Sequence, residues 1–202
     1  MKMEIYTKPS EFIDSDDEHI KEQAKILSNG LKNDYEIAKS CFEYVRDVIK
    51  HSWDYKLNPV TCKASEVLKY KTGYCYAKSH LLAALLRANN IPAGLCYQRL
   101  SIEGKGEPFS LHGLNAIYLK EYGWYRVDAR GNCNTIDAGF NPPYEQLAFQ
   151  INDKLEIDLP TVMTMTTNMT TQVRPAVCSP LHPLLRACQI VVAVIPKLPL
   201  PN

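Results

Sequence analysis

One apolar stretch at helical spacing constrains this chain more than any other feature. Leu81, Leu82, Leu85, Leu86 and Ala88 follow that spacing and break off at Asn89-Asn90, ahead of Ile91-Pro92. A residue before proline is pushed out of the α region, so the helix ends there. Upstream runs Lys71-Thr72-Gly73-Tyr74-Cys75, in which a glycine-containing turn delivers a cysteine to the helix N-terminus. The first N–H groups of a helix lack intrahelical partners and form the positive end of its dipole. A thiol held there is biased towards thiolate, the nucleophilic form. The same position also suits simple burial, since free cysteine is among the most buried residue types.

Composition narrows the classes. A chain of 202 residues is long enough for one domain with a real core. Its formal net charge of +1 creates no global field, so neither nucleic acid nor a membrane surface is expected as a partner. The seven cysteines, at 41, 62, 75, 96, 133, 178 and 188, are odd in number and contain no Cys-x-x-Cys pair. That pattern argues against a structural zinc site, and no metal or cofactor is expected. Met1-Lys2-Met3-Glu4-Ile5 lacks the apolar core of a signal peptide, and no apolar run reaches membrane-spanning length. The expectation is a cytoplasmic protein with reduced thiols.

Residues 1–15 read as a strand or an arm. Ser15 and Glu18 have capping-box spacing, which predicts a helix from there to about Ser28, stopped at Asn29-Gly30. A second helix is expected from Asn33-Asp34 to Lys50, with Ile37, Cys41, Tyr44, Val45 and Val48 on one stripe. Residues 51–64 read as irregular, and Ser65-Glu66-Val67-Leu68 as a short capped turn of helix. After Pro92 the pattern becomes alternating. Ala93–Ile102, His112–Leu119 and Trp124–Asp128 read as strands of an antiparallel meander. Gly131–Gly139 is a candidate extension of that sheet, and Tyr144–Leu147 a candidate helical turn. Helices followed by a meander imply an α+β domain, assigned to residues 1–158 with its core at 35–150. The remainder, 159–202, is atypical. Residues 160–202 hold seven prolines and a threonine-rich run at 161–171, with no aromatic after Phe149 and no acid after Asp158. It reads as a flexible tail, an unusual edge strand or the product of a reading-frame change. Asn168-Met169-Thr170 within it matches a glycosylation acceptor pattern, which has no use without a secretory route.

A nucleophilic cysteine needs a base, and the base needs an acceptor to fix its tautomer. Among the five histidines, His19 falls on an exposed helix, His51 at a helix end and His182 in the atypical tail. His80 lies five residues beyond Cys75, about 140° around the helix axis, and should point elsewhere. His112 remains, at the start of a strand. Asp128 closes an aromatic and apolar strand, where a buried carboxylate needs a donor. His112 is a natural one; Arg126, Arg130 or a turn-capping role are the alternatives. If the two strands pair antiparallel, His112 and Asp128 share a face only when paired residue numbers have an even total.

Here a resemblance enters. Ala64-Ser65-Glu66-Val67-Leu68, Gly73-Tyr74-Cys75, and Leu81–Arg87 with Ile91-Pro92-Ala93 resemble the cysteine segment of the transglutaminase-like superfamily. His112-Gly113-Leu114-Asn115-Ala116 resembles its histidine strand, and Gly123-Trp124-Tyr125-Arg126-Val127-Asp128 its aspartate strand. The likeness covers about residues 35–150 and is nearest to the bacterial transglutaminase-like cysteine peptidases. It implies a papain-like α+β core in which the nucleophile helix packs on an antiparallel β-sheet. Cys75 is then the nucleophile, His112 the general base and acid, and Asp128 the orienting residue. The implied activity is thiol-dependent acyl transfer that cleaves amide or isopeptide bonds of a peptide or protein through a thioester.

Two positions depart from the family pattern. Tyr76 stands where animal transglutaminases carry tryptophan, and Ala129-Arg130 where many members carry Pro-Thr. These differences, with no room for the extra domains and calcium sites of animal enzymes, favour hydrolysis over crosslinking. Protein-glutamine γ-glutamyltransferase activity, arylamine acetyltransferase-like activity and a catalytically silent peptide-binding module stay beside it as alternatives. The Cys75 backbone N–H is one candidate oxyanion donor, with Trp53 and Tyr55 as side-chain candidates. Lys78, Arg99 and Arg130 are candidates to receive an anionic substrate group or to form solvated or salt-bridged pairs.

Overall fold

The computed structural model describes residues 3–159. The segment from 160 onward, with its expected tail character, its Asn168 pattern and His182, lies outside the described residues.

The leading residues form an arm rather than a strand, with one 3-10 turn at Met3–Tyr6 and Tyr6, Phe12 and Ile13 buried. Helix α1 spans Glu18–Ser28. Its cap is Asp17, whose carboxylate accepts from His19 N (2.9 Å) and Ile20 N (3.2 Å), and not the expected Ser15. Turns closed by Ser15 N to Ile13 O and Asp17 N to Asp14 O delay the helix start by two residues. Helix α2 spans Asp34–Glu43, with Asn33 as cap accepting from Glu36 N at 2.8 Å.

The expected continuation of α2 to Lys50 fails. The chain widens into a π turn at Tyr44–Val48, then enters the two-residue strand β1 (Lys50–His51). A π turn takes carbonyls out of the i→i−4 ladder. Here the fully buried Lys78 ammonium donates to two backbone carbonyls, Arg46 O and Ile49 O. A tertiary donor therefore stabilises a break that local propensity does not encode.

Helix α3 (Ser52–Tyr55) and α4 (Ala64–Tyr70) follow, then β2 (Thr72–Gly73), which pairs parallel with β1. The stretch 51–64 is thus less irregular than its sequence suggests. Glu66 ties the start of α4 by accepting from Cys62 N and Lys63 N.

Helix α5 (Cys75–Ala88) is the centre of the molecule, and every residue from Ala77 to Arg87 is buried. A helix covered on all sides needs neighbours all round. Here α1, α2 and α4 supply one side and strands β3 (Ala93–Ser101) and β4 (Phe109–Leu119) the other. Leu81, Leu82, Leu85 and Leu86 are completely buried, each worth about 2 kcal/mol of apolar transfer. Arg87, also buried, donates to Ala93 O and to Lys8 O, which ties the helix end to both the sheet and the N-terminal arm.

With β5 (Gly123–Val127) and β6 (Ile157–Asp158) the sheet is antiparallel in the order β5-β4-β3-β6. The α+β expectation, with the cysteine helix on an antiparallel sheet, holds. Gly131–Gly139 does not extend that sheet. The Asn132 side chain takes both backbone groups of Ala138 (2.8 and 3.1 Å), closing a loop where a ladder would have run. Nor does Tyr144–Leu147 form a helical turn, because Gln146 is drawn into an isolated bridge with Gly139. No helix among the described residues is long and apolar enough to cross a membrane.

Candidate active site

Cys75 opens α5 behind the extended residue Tyr74. Strand β4 passes this helix start so closely that a Cβ on Gly113 would stand 2.9 Å from the Cα of Tyr76. Only glycine permits that approach, and it sets Gly113 N 3.5 Å from Cys75 Sγ as a donor. The residue before it, His112, is carried to the same place.

The pairing of β4 with β5 settles the face question. Asn115 opposes Val127 and Ile117 opposes Tyr125, so paired numbers have even totals, and His112 and Asp128 share one face. Their side chains meet at 2.6 Å, His112 Nε2 to Asp128 Oδ2, with 4% and 0% exposure. Asp128 also accepts from Arg130 N and Ala148 N, both at 3.1 Å. The arginine side chains considered as its partners go elsewhere. Arg126 binds Glu145 and Asp158, and Arg130 binds Asp54. Phe149 covers the His112 ring edge-to-face at 4.9 Å. Because Nε2 is held by Asp128, Nδ1 is the nitrogen left for the thiol.

The electrostatics follow from this packing. Burial by itself would raise the Cys75 thiol, but the His112 charge and hydrogen bond, and then those of His51, bring it down to about 5. Burial would lower His112, yet Asp128 and the Cys75 thiolate raise it to about 10. Asp128 ends below the ordinary carboxylate range: burial opposes ionisation, while His112 and the two backbone N–H groups outweigh it. These shifts favour a thiolate beside an imidazolium at neutral pH, titrating as a coupled pair.

The sequence set His51 aside, but the structure places it at the site. Its Nδ1 lies 3.3 Å from Asp54 Oδ1, and Asp54 in turn receives the Arg130 fork at 2.9 and 3.0 Å. His51, followed by Arg130, holds the Asp54 carboxyl well below its usual range. The available signal was His51 and Asp54 three residues apart, too common a spacing to single out. Of the other histidines, His19 is exposed. His80 is buried with Nδ1 2.8 Å from Cys62 O, between the rings of Phe12 and Tyr76. Burial pushes it down to about 4, so it stays neutral and structural, turned away as its helix position requires.

The remaining candidates are engaged elsewhere. Trp53 carries the Lys56 ammonium over its ring, and Tyr55 is exposed. Arg99 donates to Leu155 O, and Lys78 is committed to backbone carbonyls, with burial pushing its amine down to about 7.

A cysteine at the start of a buried helix thus has a histidine and an aspartate brought to it from an antiparallel sheet. The model of the transglutaminase-like superfamily matches residues 21–129, more than half of the chain. The protein belongs to that superfamily. No curated protein matches it. Among solved structures it is similar to a proposed cysteine protease from Cytophaga hutchinsonii (21% identity, TM-score 0.52, covering 63% of this chain and 42% of that one). It is also similar to the periplasmic domain of TgpA from Pseudomonas aeruginosa (16% identity, TM-score 0.43, 55% and 42%). Red sea bream transglutaminase is a further match (11% identity, TM-score 0.40, 55% and 26%). The chain therefore spans less than half the length of these structures.

Proposed function

We propose that this protein is a hydrolase that cleaves an amide or isopeptide bond of a peptide or protein through a Cys75 thioester. The observation that carries this reading is the His112–Asp128 pair at 2.6 Å, buried beside a thiol lowered to about 5. The Cys75 thiolate attacks the carbonyl carbon; a C–S bond forms and the carbonyl π pair moves onto oxygen. As that pair returns, the C–N bond breaks and His112 gives its proton to the departing amine. His112 then takes a proton from water, hydroxide adds to the thioester, the C–S bond breaks, and thiolate and imidazolium are restored. Asp128 stays ionised throughout and fixes the imidazole.

The test is a peptide mixture from a proteolysed proteome, incubated with wild type and Cys75→Ala, with and without dansylcadaverine. New termini formed by wild type alone support hydrolysis. Dansylcadaverine incorporation in their place would move the assignment to transamidation, and identical products from Cys75→Ala would overturn the mechanism.

A further inference from the structure

Attack on a carbonyl leaves a negative charge on its oxygen, which needs donors already in place. The backbone N–H at the start of α5 is one. His51 has the position of a second. The parallel pairing of β1 with β2 sets His51 opposite Gly73, two residues before the nucleophile. Its ring is buried, edge-on to Tyr74 at 5.8 Å, and Asp54 stands at its Nδ1. Nδ1 has no well-aligned hydrogen-bond partner, so Nε2 is the nitrogen left for its side-chain hydrogen bond with Cys75.

His51 thus lies between Asp54 on one side and the Cys75 sulfur on the other, and the nitrogen towards sulfur is placed to act as a donor. Proton abstraction already has a dedicated imidazole in His112, backed by the Asp128 carboxylate at 2.6 Å. Asp54 differs, because the Arg130 fork spans both of its oxygens. A carboxylate gripped by a guanidinium fork is fixed in place and so orients the ring beside it.

We infer that His51, oriented by Asp54 and Arg130, is the side-chain donor that holds the substrate's carbonyl oxygen at Cys75. The inference rests on the acyl-transfer reading above. His51 donates a hydrogen bond to the oxyanion in both the acylation and deacylation steps and transfers no proton. As thiolate charge leaves sulfur for the carbonyl oxygen, the Nε2–H moves its hydrogen bond from one to the other.

Two reagents separate this role from a structural one. Iodoacetamide alkylates the thiolate by displacement and forms no oxyanion; p-nitrophenyl acetate acylates it through one. Rates of both reactions at Cys75 are measured across pH by mass spectrometry in wild type, His51→Ala and His51→Gln. They are compared at the high-pH plateau, where every variant is thiolate. The expected result is an acylation plateau lowered about 100-fold in His51→Ala, with alkylation within about threefold of wild type. His51→Gln, which keeps an N–H near the Nε2 position, should recover part of the acylation rate and decides the matter if the alanine variant does not fold. Equal losses in both reactions, or no loss in acylation, would overturn the assignment. A wild type that alkylates readily near pH 6 but never forms the acetyl thioester would overturn the acyl-transfer reading itself, and with it the role of His51.

Discussion

Two histidine–aspartate pairs flank one thiol, and they are built differently. His112–Asp128 joins β4 to the residue that follows β5, is buried, and closes at 2.6 Å. His51–Asp54 is local, three residues apart at the mouth of α3, stands at 3.3 Å, and shares its carboxylate with Arg130. The first pair has a rigid frame and a strong anion, the requirements for holding a proton at one nitrogen and releasing it on demand. In the second, a softened anion and a looser contact suit a donor that adjusts to a substrate oxygen. On the proposed mechanism, the contrast teaches that the same two residue types serve proton transfer or charge stabilisation according to what else the carboxylate touches.

The sharpest way to break this comparison is to remove each carboxylate in turn. Asp128→Asn should lower the rate of Cys75 acylation by p-nitrophenyl acetate about 10³-fold, because the buried imidazole loses the anion that fixes its tautomer. Loss of less than tenfold would show that the deep pair is not the proton-transfer pair. Gly113→Ala comes next. The new Cβ meets the Tyr76 backbone, so β4 must move from α5 at a cost of about 1–3 kcal/mol. This is readable as a lower urea midpoint together with slower Cys75 alkylation. Asp54→Asn should be milder, slowing acylation about tenfold while the alkylation plateau stays within about threefold. If it matched Asp128→Asn in both reactions, the two pairs would be equivalent. The smallest expected effect is a control away from the site: Asp17→Ala removes the α1 cap and should cost about 1 kcal/mol, with Cys75 chemistry unchanged.

How much of this was legible in the sequence depended on how local the determinant was. The central helix and the strands were readable because a long apolar helix, a glycine turn and alternating strands each encode themselves over many residues, whereas the pairing of His112 with Asp128 rested on the resemblance to the superfamily, the residues alone leaving Arg126 and Arg130 open. The register rule could even be stated before the pairing was known. The region from Tyr44 to Lys63 was not, because long-range contacts fix its form. The π turn rests on a buried lysine 29 to 32 residues away in the chain, which donates to Arg46 O and Ile49 O. Strand β1 is two residues long and exists only through β2. His51 therefore looked like a helix end, and its proximity to Cys75 carried no sequence signature. The loop after Arg130 was misread for a related reason, since one Asn132 side chain replaced a strand partner.

The central claim is that Cys75 rests as a thiolate beside the His112 imidazolium. The most direct test is the pH dependence of Cys75 alkylation by iodoacetamide in wild type and His112→Ala, followed by mass spectrometry. In wild type the rate should rise through about pH 5, be near its plateau by pH 6, and hold until His112 loses its proton near pH 10. In His112→Ala the rise should move upward by several pH units, with at least a tenfold lower rate at pH 6. A wild-type rate that rises only near pH 8.5, as for an ordinary thiol, and is indifferent to His112 would contradict the account.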